Sequence, residues 1–519
     1  MAPGEAGEEK RRPRSLSLAL AALSGLLLAG ALPGLDWGWL AWVGLVPFLG
    51  LFPFKSAKSA FGHGMVLGIF YLGVMAYWII VFAGHIIGPA LSTLGWVLIS
   101  LYQAFYLGVW AVGAQWLRQR PSPWAFRLGV PALWAIVEWW RQSGALGLGW
   151  GDLAYTQHLA LPILQLTKLT GIWGLAFLIV LVNVALCELW QTRRLGAFPK
   201  LTAALVLLTL GGGVWSIRRE NLKPTFVAAA LQGGIDQNTE QNPAYVERVM
   251  QTFTAQGRKA AARGTTLVVW PETAFSGYLR GVGNNGLARL SAEAAQNHQT
   301  LLVGGVEHDW TVGKNANALF SISPEGQLTG SYQKRQLVPF GEFVPGRSWL
   351  PFVEALHVTN FDMKPGADVQ PLLGGGPDAG KIGATICFES SYPRFLREQV
   401  RRGANLLVIS TDDTWFGRTA AARQHSAIAA VRAAEADRYL VRSAATGVSQ
   451  VIDPTGRVLA EAGLFQAAVV SAPVQSRTTL TPYVRWGDWF VAVCALLLGA
   501  VSVPWKKRPP RPNSGEPES

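Results

Sequence analysis

Long apolar runs separated by short loops fill the first 220 residues of the chain. Most of these runs approach the roughly 20 apolar residues that a helix needs to cross the hydrocarbon core of a bilayer. We therefore predict a membrane domain of seven spanning helices over residues 15–218. The predicted spans are residues 16–32, 36–54, 61–84, 88–117, 128–140, 171–190 and 201–216.

An eighth apolar run, residues 486–505, predicts one more spanning helix over residues 484–505. Basic residues precede the first run, follow the last one and recur in every second loop, whereas the alternate loops carry few of them. Because basic loops stay on the cytoplasmic side of a membrane, residues 1–14 and 506–519 are predicted to be cytoplasmic tails. Residues 224–476 are then predicted to lie outside the cytoplasm.

The pattern changes between residues 224 and 476, where short β-rich runs alternate with Ala-rich polar segments of helical spacing. Strands that alternate with helices over a stretch of this length predict one α/β domain. The predicted strands are residues 225–231, 266–270, 301–306, 318–322, 381–386, 405–410 and 447–452, and the predicted helices are residues 242–263, 286–298, 393–403 and 421–438.

The composition agrees with a membrane protein that carries a soluble domain, since 50% of the 519 residues are hydrophobic and only 15% are charged. A net charge of +13 could indicate nucleic-acid binding, but the basic residues form short clusters beside apolar runs. We therefore predict no nucleic-acid partner. Of the three cysteines, only Cys387 lies outside the predicted spans, so its thiol has no obvious disulfide partner. The sequence shows no His or Cys cluster with metal spacing, and we expect no metal site.

Three polar residues of the α/β domain stand where a rigid backbone can hold a side chain near a substrate. Cys387 ends the predicted strand 381–386, a position that suits a nucleophile. Glu272 ends another apolar strand and could serve as a general base. Lys334 precedes a loop broken by Pro and Gly and could stabilise an oxyanion. Each residue alone also fits a plainer role, namely a buried structural cysteine, a helix-capping or loop acid, and a surface lysine.

In chain order, Glu272, Lys334 and Cys387 resemble the Glu-Lys-Cys triad of the nitrilase, or carbon–nitrogen hydrolase, superfamily. This resemblance implies an αββα sandwich in which Glu272 is the general base, Lys334 stabilises the oxyanion and Cys387 is the nucleophile. The expected fold class is therefore a polytopic α-helical membrane domain plus an α/β nitrilase-like αββα sandwich domain. No metal or organic cofactor is expected.

Longer motifs resemble a narrower family, the bacterial apolipoprotein N-acyltransferases. They are Y-Q-K-R-Q-L-V-P-F-G-E-F-V-P at residues 332–345, C-F-E-S-S-Y-P at 387–393, and T-W-F-G at 414–417 followed by Q-H. The resemblance implies transfer of a fatty acyl chain from a membrane phospholipid, through a cysteine thioester, to the α-amino group of the diacylglyceryl-cysteine of an apolipoprotein. It also implies a monomer in the bacterial cytoplasmic (inner) membrane, with the catalytic domain facing the periplasm or the outside.

The same resemblance implies that Glu342, Phe388, Glu389 and Trp415 line or support the acyl-transfer pocket. From the residues alone, Glu342 also fits a turn-stabilising carboxylate, Glu389 a salt-bridged structural acid and Trp415 a core residue. The apolar loop 343–361 is predicted to form a lid that touches the membrane or, alternatively, a packed structural loop.

Two other functions share parts of this pattern. A membrane-anchored amidase of the nitrilase type would use the same triad with water as the acceptor, but it would not need the apolar loop 343–361. A transporter with an accessory domain would carry ionisable residues within several spans, whereas the central parts of most predicted spans carry none.

Overall fold

The computed structural model describes residues 13–144, 146–235, 243–278, 286–344 and 363–502. Its N-terminal region is helical, an α/β domain follows, and the chain returns to the helical region at its end. The helices of the N-terminal region are α1 (Arg14–Ala31), α2 (Val46–Leu49), α3 (Ala57–Gly68), α4 (Trp78–Arg118), α5 (Pro123–Arg141), α6 (Leu161–Leu164), α7 (Thr167–Thr170), α8 (Ile172–Thr192) and α9 (Ala197–Arg219).

The long helices follow most of the predicted apolar runs, but several bounds differ, and α6 and α7 lie in the predicted loop 141–170. The run 36–54 forms a 3-10 helix, Gly38–Trp42, and the single turn α2 instead of one long helix. Pro47 lacks an N–H and fits only the first turn of a helix, so a new turn begins beside it. Helix α5 begins at Pro123 and is longer than the predicted run 128–140.

Four helices within the described ranges are long and apolar enough to cross a membrane. They are Arg14–Ala31, Ile87–Arg118, Ile172–Thr192 and Ala197–Arg219. A fifth candidate is the pair Ala57–Gly73 and Trp78–Gly84, which bends by 59°. The helical region therefore has the elements of a membrane domain. The total of eight spans stays a prediction.

Helix α4 is broken near its N-terminal end. Gly88 has a φ of +80°, which glycine adopts at little cost, and the next residue, Pro89, has no N–H to donate. Residues 78–87 are consequently a separate helical segment. Its Trp78 packs edge-on against Phe416 of the α/β domain, with ring centroids 5.0 Å apart.

Two β-sheets form the α/β domain. Its strands are β1 (Phe226–Gln232), β2 (Thr265–Val269), β3 (Phe275–Tyr278), β4 (Thr300–Asp309), β5 (Lys314–Ile322), β6 (Leu328–Gln333), β7 (Leu373–Gly374), β8 (Lys381–Ile386), β9 (Leu406–Thr411), β10 (Leu440–Ala444), β11 (Ser449–Ile452), β12 (Val458–Ala462) and β13 (Ala468–Val474). Its described helices, and those that follow, are α10 (Pro243–Ala261), α11 (Gly286–Asn297), α12 (Gly376–Ala379), α13 (Pro393–Arg401), α14 (Ala421–Ala436), α15 (Pro482–Trp486) and α16 (Trp489–Ser502).

The strand order of the first sheet is β13-β1-β2-β4-β5-β6, with β3 beside β4. Strands β1, β2 and β4 are parallel, and the register pairs Ala228 with Leu267 and Leu267 with Thr300. The second sheet has the order β12-β11-β10-β9-β8-β7, with β8, β9 and β10 parallel. The carboxyl ends of parallel strands lie at one edge of each sheet, where sites of α/β proteins usually form.

Alternating side chains pack the two sheets face to face. Leu267 and Val269 of β2 are buried against Ile386 and Leu406 of the second sheet, while Val268 between them joins the core under α10 and α11. This division follows from the two-residue period of a strand. Helices α13 and α14 cover the outer face of the second sheet in the same way. The predicted αββα sandwich is therefore confirmed.

Four charged side chains join the α/β domain to the helical region, and we call them the four-charge ring. The Lys168 Nζ lies 2.5 Å from Glu220 Oε1 and 3.0 Å from Asp437 Oδ1. Arg477 Nη2 lies 3.0 Å from Glu220 Oε2 and 2.7 Å from Asp437 Oδ2. Each cation bridges both acids, and the two cations lower the pKa of Asp437 to about 2 although burial opposes this.

Candidate active site

Glu272 and Cys387 follow the carboxyl ends of β2 and β8, one in each sheet. At this edge, two hydrogen bonds link the end of β9 to the segment that carries Glu272. Ser410 Oγ donates to the carbonyl of Trp270 at 3.1 Å, and the Asp412 N–H donates to Glu272 Oε2 at 2.8 Å. The strand after Cys387 is thus fastened directly to the acid, and the structure brings both predicted residues to one edge of the sandwich.

Glu272 is a buried acid whose two oxygens face three donors. Its Oε1 accepts from Asn317 Nδ2 at 2.6 Å and from Lys334 Nζ at 3.0 Å, and its Oε2 accepts from the Asp412 N–H. The residue is only 6% exposed. An ionised carboxylate is purely an acceptor, so this set of donors fits an anion held in one orientation and available as a base.

Lys334 is almost completely buried and is held by two carboxylates. Its Nζ lies 3.0 Å from Glu272 Oε1 and 2.9 Å from Glu342 Oε1. Burial alone would lower the pKa of Lys334, but the two acids raise it well above its usual value. The backbone N–H of Lys334 donates to the Asn317 carbonyl at 2.8 Å. The result is a fixed ammonium group, suited to stabilise negative charge on a substrate oxygen.

Cys387 begins a 3-10 turn, Cys387–Ser391, and has a φ of +51°. Its thiol is not in a disulfide, and the residue is 9% exposed. Burial raises the pKa of the Cys387 thiol well above its usual range, the charge of Glu272 adds to this, and Lys334 opposes it. Glu272 and Lys334 therefore both act electrostatically on the sulfur. A thiol with a raised pKa attacks as a nucleophile only after a base has removed its proton.

Glu342 lies in the turn that follows Lys334. Its Oε1 accepts from Lys334 Nζ and from Asn317 Nδ2 at 3.1 Å, and its Oε2 accepts from the Val338 N–H at 2.8 Å. One carboxylate thus both closes the turn and orients the lysine. The structure places Glu342 beside the triad.

Glu389 is fully buried behind Cys387. Its oxygens accept from the Tyr332 hydroxyl at 3.0 Å and from the N–H groups of Ile386, Arg335 and Gln336 at 2.8, 2.6 and 3.2 Å. Glu389 therefore links the backbone after β6, which includes Lys334, to the turn that begins at Cys387. Glu389 acts on the site through this backbone.

Phe388 and Trp415 occupy different environments. Phe388 is half-buried, contacts both the sandwich core and the helical core, and packs edge-on against Tyr392 with centroids 5.3 Å apart. Trp415, in the 3-10 turn Thr414–Phe416, is 37% exposed. Its position is therefore a surface position, and the interpretation of Trp415 as a core residue does not fit.

Sequence reasoning missed Asn317 and Asp412. Asn317 bridges Glu272 and Glu342, and its signal was a polar residue between two alanines on a buried strand, β5. Burial and the charge of Glu272 raise the pKa of Asp412 to about 7. Two consecutive acids directly after the buried strand β9 were the available signal for it.

The predicted lid, residues 343–361, lies outside the described residues except for Phe343 and Val344. Phe343 forms a bridge with Pro339 across the turn that carries Glu342.

Two family models match the chain. The model for carbon–nitrogen hydrolases matches residues 227–483, and the model for the N-terminal domain of apolipoprotein N-acyltransferases matches residues 24–185. The apolipoprotein N-acyltransferase of Geobacter metallireducens is 34% identical over 490 residues, which cover 92% of each chain. The chain belongs to the apolipoprotein N-acyltransferase family. The enzyme of this name from Gloeobacter violaceus is 33% identical over 504 residues, or 94% of each chain.

Membership in this family confirms the predicted acyltransferase built on a carbon–nitrogen hydrolase domain, and it favours this enzyme over the amidase and the transporter. The several apolar helices agree with a membrane protein. Among solved structures, Nit3 of Saccharomyces cerevisiae, a member of the nitrilase superfamily, is similar at 18% identity and a TM-score of 0.38, over 49% of this chain and 92% of that one.

Proposed function

We propose that the chain moves a fatty acyl group from a membrane phospholipid, through a thioester on Cys387, to the α-amino group of the diacylglyceryl-cysteine of an apolipoprotein. The observation that carries this proposal is the convergence of Glu272, Lys334 and Cys387 at one edge of the sandwich. The relatives that match nearly the full length are named apolipoprotein N-acyltransferases, which supports an apolipoprotein amine as the acceptor.

In the first half-reaction, Glu272 takes the proton of the Cys387 thiol as the sulfur attacks the ester carbonyl of the phospholipid. The ammonium group of Lys334 stabilises the oxyanion of the tetrahedral intermediate. The C–O bond then breaks, and the departing alkoxide takes the proton back from Glu272. The products are an acyl thioester on Cys387 and a lysophospholipid.

In the second half-reaction, the α-amine of the lipoprotein attacks the thioester carbonyl. Glu272 accepts a proton from the amine, Lys334 again faces the oxyanion, and the C–S bond breaks. The thiolate of Cys387 leaves and recovers its proton from Glu272. The product is an amide, and these steps use only the three side chains.

The direct test gives the purified protein a phospholipid and a synthetic diacylated lipopeptide. We expect the mass of the lipopeptide to increase by one acyl chain, with an amide on its α-amine and an equal amount of lysophospholipid. A peptide acetylated on its α-amine is the matched control and should gain nothing. Release of free fatty acid or ammonia without transfer would instead support the hydrolase.

We further propose that the protein is a monomer of the bacterial cytoplasmic membrane, with residues 15–218 and 484–505 as its spanning parts and residues 224–476 outside. The distribution of basic loops supports this orientation. Alkaline phosphatase, which folds only outside the cytoplasm, should be active when fused after Leu222 and inactive when fused after Lys507. Activity in the opposite pattern would contradict the orientation.

A further inference from the structure

A fully buried histidine of α14, His425, lies next to the carbonyl group of Cys387. His425 Nε2 lies 3.2 Å from the Cys387 carbonyl oxygen and 2.8 Å from Ser390 Oγ. The Ser390 hydroxyl in turn lies 2.8 Å from the same carbonyl oxygen. His425, Ser390 and the carbonyl thus form a compact triangle directly behind the nucleophile, and none of the steps above uses it.

The Nδ1 side of the imidazole ring is also held by a polar contact. Its Nδ1 lies 2.9 Å from Asp413 Oδ1, which also accepts from Thr411 Oγ1 at 2.9 Å. The second oxygen of Asp413 accepts from Arg442 Nη2 at 2.7 Å. The ring of Trp150 packs against the imidazole with centroids 5.0 Å apart. His425 therefore has one orientation, set by residues of β9, β10 and the helical region.

The backbone of Cys387 needs such support. Its φ of +51° lies in the left-handed region, which is unfavourable for a residue other than glycine. Conformations of this kind persist only where surrounding contacts fix them, and they recur at functional sites. The contacts to the Cys387 carbonyl fix the peptide plane that follows the cysteine, and with it the direction of the thiol.

We propose that His425 is a positioning residue for the nucleophile: acting through Ser390 and the Cys387 carbonyl, it maintains the left-handed turn that directs the thiol toward Glu272 and Lys334. This role rests on the proposed function, in which Cys387 carries the acyl group. His425 touches no reacting atom and transfers no proton in the reaction.

The protonation state of the ring agrees with this role. Burial lowers the pKa of His425, although the charge of Asp413 opposes the change. The Nδ1 atom faces the carboxylate of Asp413, and Nε2 faces the Ser390 hydroxyl. The Ser390 hydroxyl donates to the Cys387 carbonyl, so it links the histidine to the cysteine.

Two substitutions of His425 test the contacts of Nδ1 and Nε2 separately. The amide of asparagine reaches about as far as Nδ1, and the amide of glutamine about as far as Nε2. We expect His425→Asn to slow thioester formation on Cys387 by about 10-fold to 100-fold, since a displacement of about 1 Å at the reacting groups has an effect of this size. His425→Gln should recover most of the rate. The KM for phospholipid should change by less than about twofold in both variants, because no substrate contact is lost.

A pair of serine variants provides a matched control. Ser390→Ala removes the bridging hydroxyl and should slow thioester formation as His425→Asn does. Ser426→Ala removes a buried hydroxyl of the same helix that donates to the Arg423 carbonyl at 3.0 Å, and its rate should equal that of the wild type. The thioester is measured in single turnovers as the hydroxylamine-labile acyl mass on the Cys387 peptide, and the Tm of every variant is recorded.

The outcomes distinguish this role from the proposed function. A wild-type protein that transfers no acyl group to Cys387 overturns the proposed function itself. A wild-type protein that does form the thioester, with equal rates in His425→Asn, His425→Gln and the wild type, overturns only the positioning role. Rates that fall in both histidine variants in proportion to their Tm values also overturn it, because they indicate a purely structural histidine.

Discussion

Replacing Cys387 with alanine should abolish acyl transfer and leave the fold intact. The thiol is the proposed acyl carrier, and loss of a nucleophile that works as a unit with its base costs on the order of 10⁴-fold or more in rate. The side chain packs in the sandwich core but makes no disulfide there, so the structural cost is that of removing one sulfur atom. The measurement is the acyl mass on the Cys387 peptide after incubation with phospholipid, together with transfer to the lipopeptide.

Cys494 provides the control for the loss of a buried thiol. It lies in the apolar helix α16, away from the sandwich, and Cys494→Ala should transfer acyl groups at the wild-type rate. Turnover by Cys387→Ala at more than a trace of the wild-type rate would exclude Cys387 as the carrier. A stable acyl mass on another residue of the wild-type protein would do the same.

Replacing Lys334 with methionine should remove activity and also destabilise the α/β domain. The Nζ group is the shared partner of Glu272 Oε1 and Glu342 Oε1, so its loss leaves one buried and one partly buried carboxylate without their cation. Breaking a buried ion pair from one side costs about 3–5 kcal/mol of unfolding free energy. Loss of the oxyanion contact alone costs about 100-fold to 1000-fold in rate. Both half-reactions should slow, because each passes through an oxyanion.

A double variant separates the two effects of the lysine. Lys334→Met combined with Glu342→Gln removes one of the stranded charges and should recover part of the unfolding free energy, whereas activity should stay low. Lys381→Met, a change at an exposed position of the same domain, is the matched control and should change neither quantity. A single Lys334→Met variant that equals the wild type in single-turnover rate would contradict the assignment.

The sign of the pH dependence follows from the raised pKa of Lys334. A cation of this kind contributes stability that is fully present below the usual lysine pKa of about 10.4 and is lost only as the pH rises through the higher value of the folded state. The measurement is the unfolding free energy of the wild type and of Lys334→Met. The part of their difference that comes from the lysine charge should be constant from about pH 6 to pH 9.

The apolar pattern predicted helices well where a run was long and uninterrupted. It could not show that the run 36–54 divides, because Pro47 and the nearby glycines end local helices without changing the hydropathy. Leu267, Val268 and Val269 are all apolar, so the sequence indicates a buried strand but not which side chain faces which core. Which elements cover the two faces depends on contacts between sheets.

The three candidate residues stood out in the sequence because Glu272 and Cys387 follow apolar strands and Lys334 precedes a loop broken by Pro and Gly. Their supporting residues lack such patterns. His425 stands in an Ala-rich helix that is buried almost throughout, and its partners Asp413 and Ser390 come from different elements. Asn317 reaches Glu272 only through the pairing of β4 and β5. Such contacts arise from the register of strands and the packing of sheets, and local sequence does not encode them.

The four-charge ring holds together the two chain segments that connect the α/β domain to the helical region. Glu220 follows α9 on the way into the domain, and Arg477 follows β13 on the way out. Lys168 binds Glu220, and Arg477 binds Glu220 and Asp437, so both connections are held beside the helical region. Each proposed lipid substrate must then travel to a stationary sulfur atom. Travel of this kind is diffusion in two dimensions. The KM of either substrate is then best expressed as its mole fraction in the bilayer. Adding inert lipid to the membrane should slow the enzyme, just as lowering the substrate concentration in solution slows a soluble enzyme.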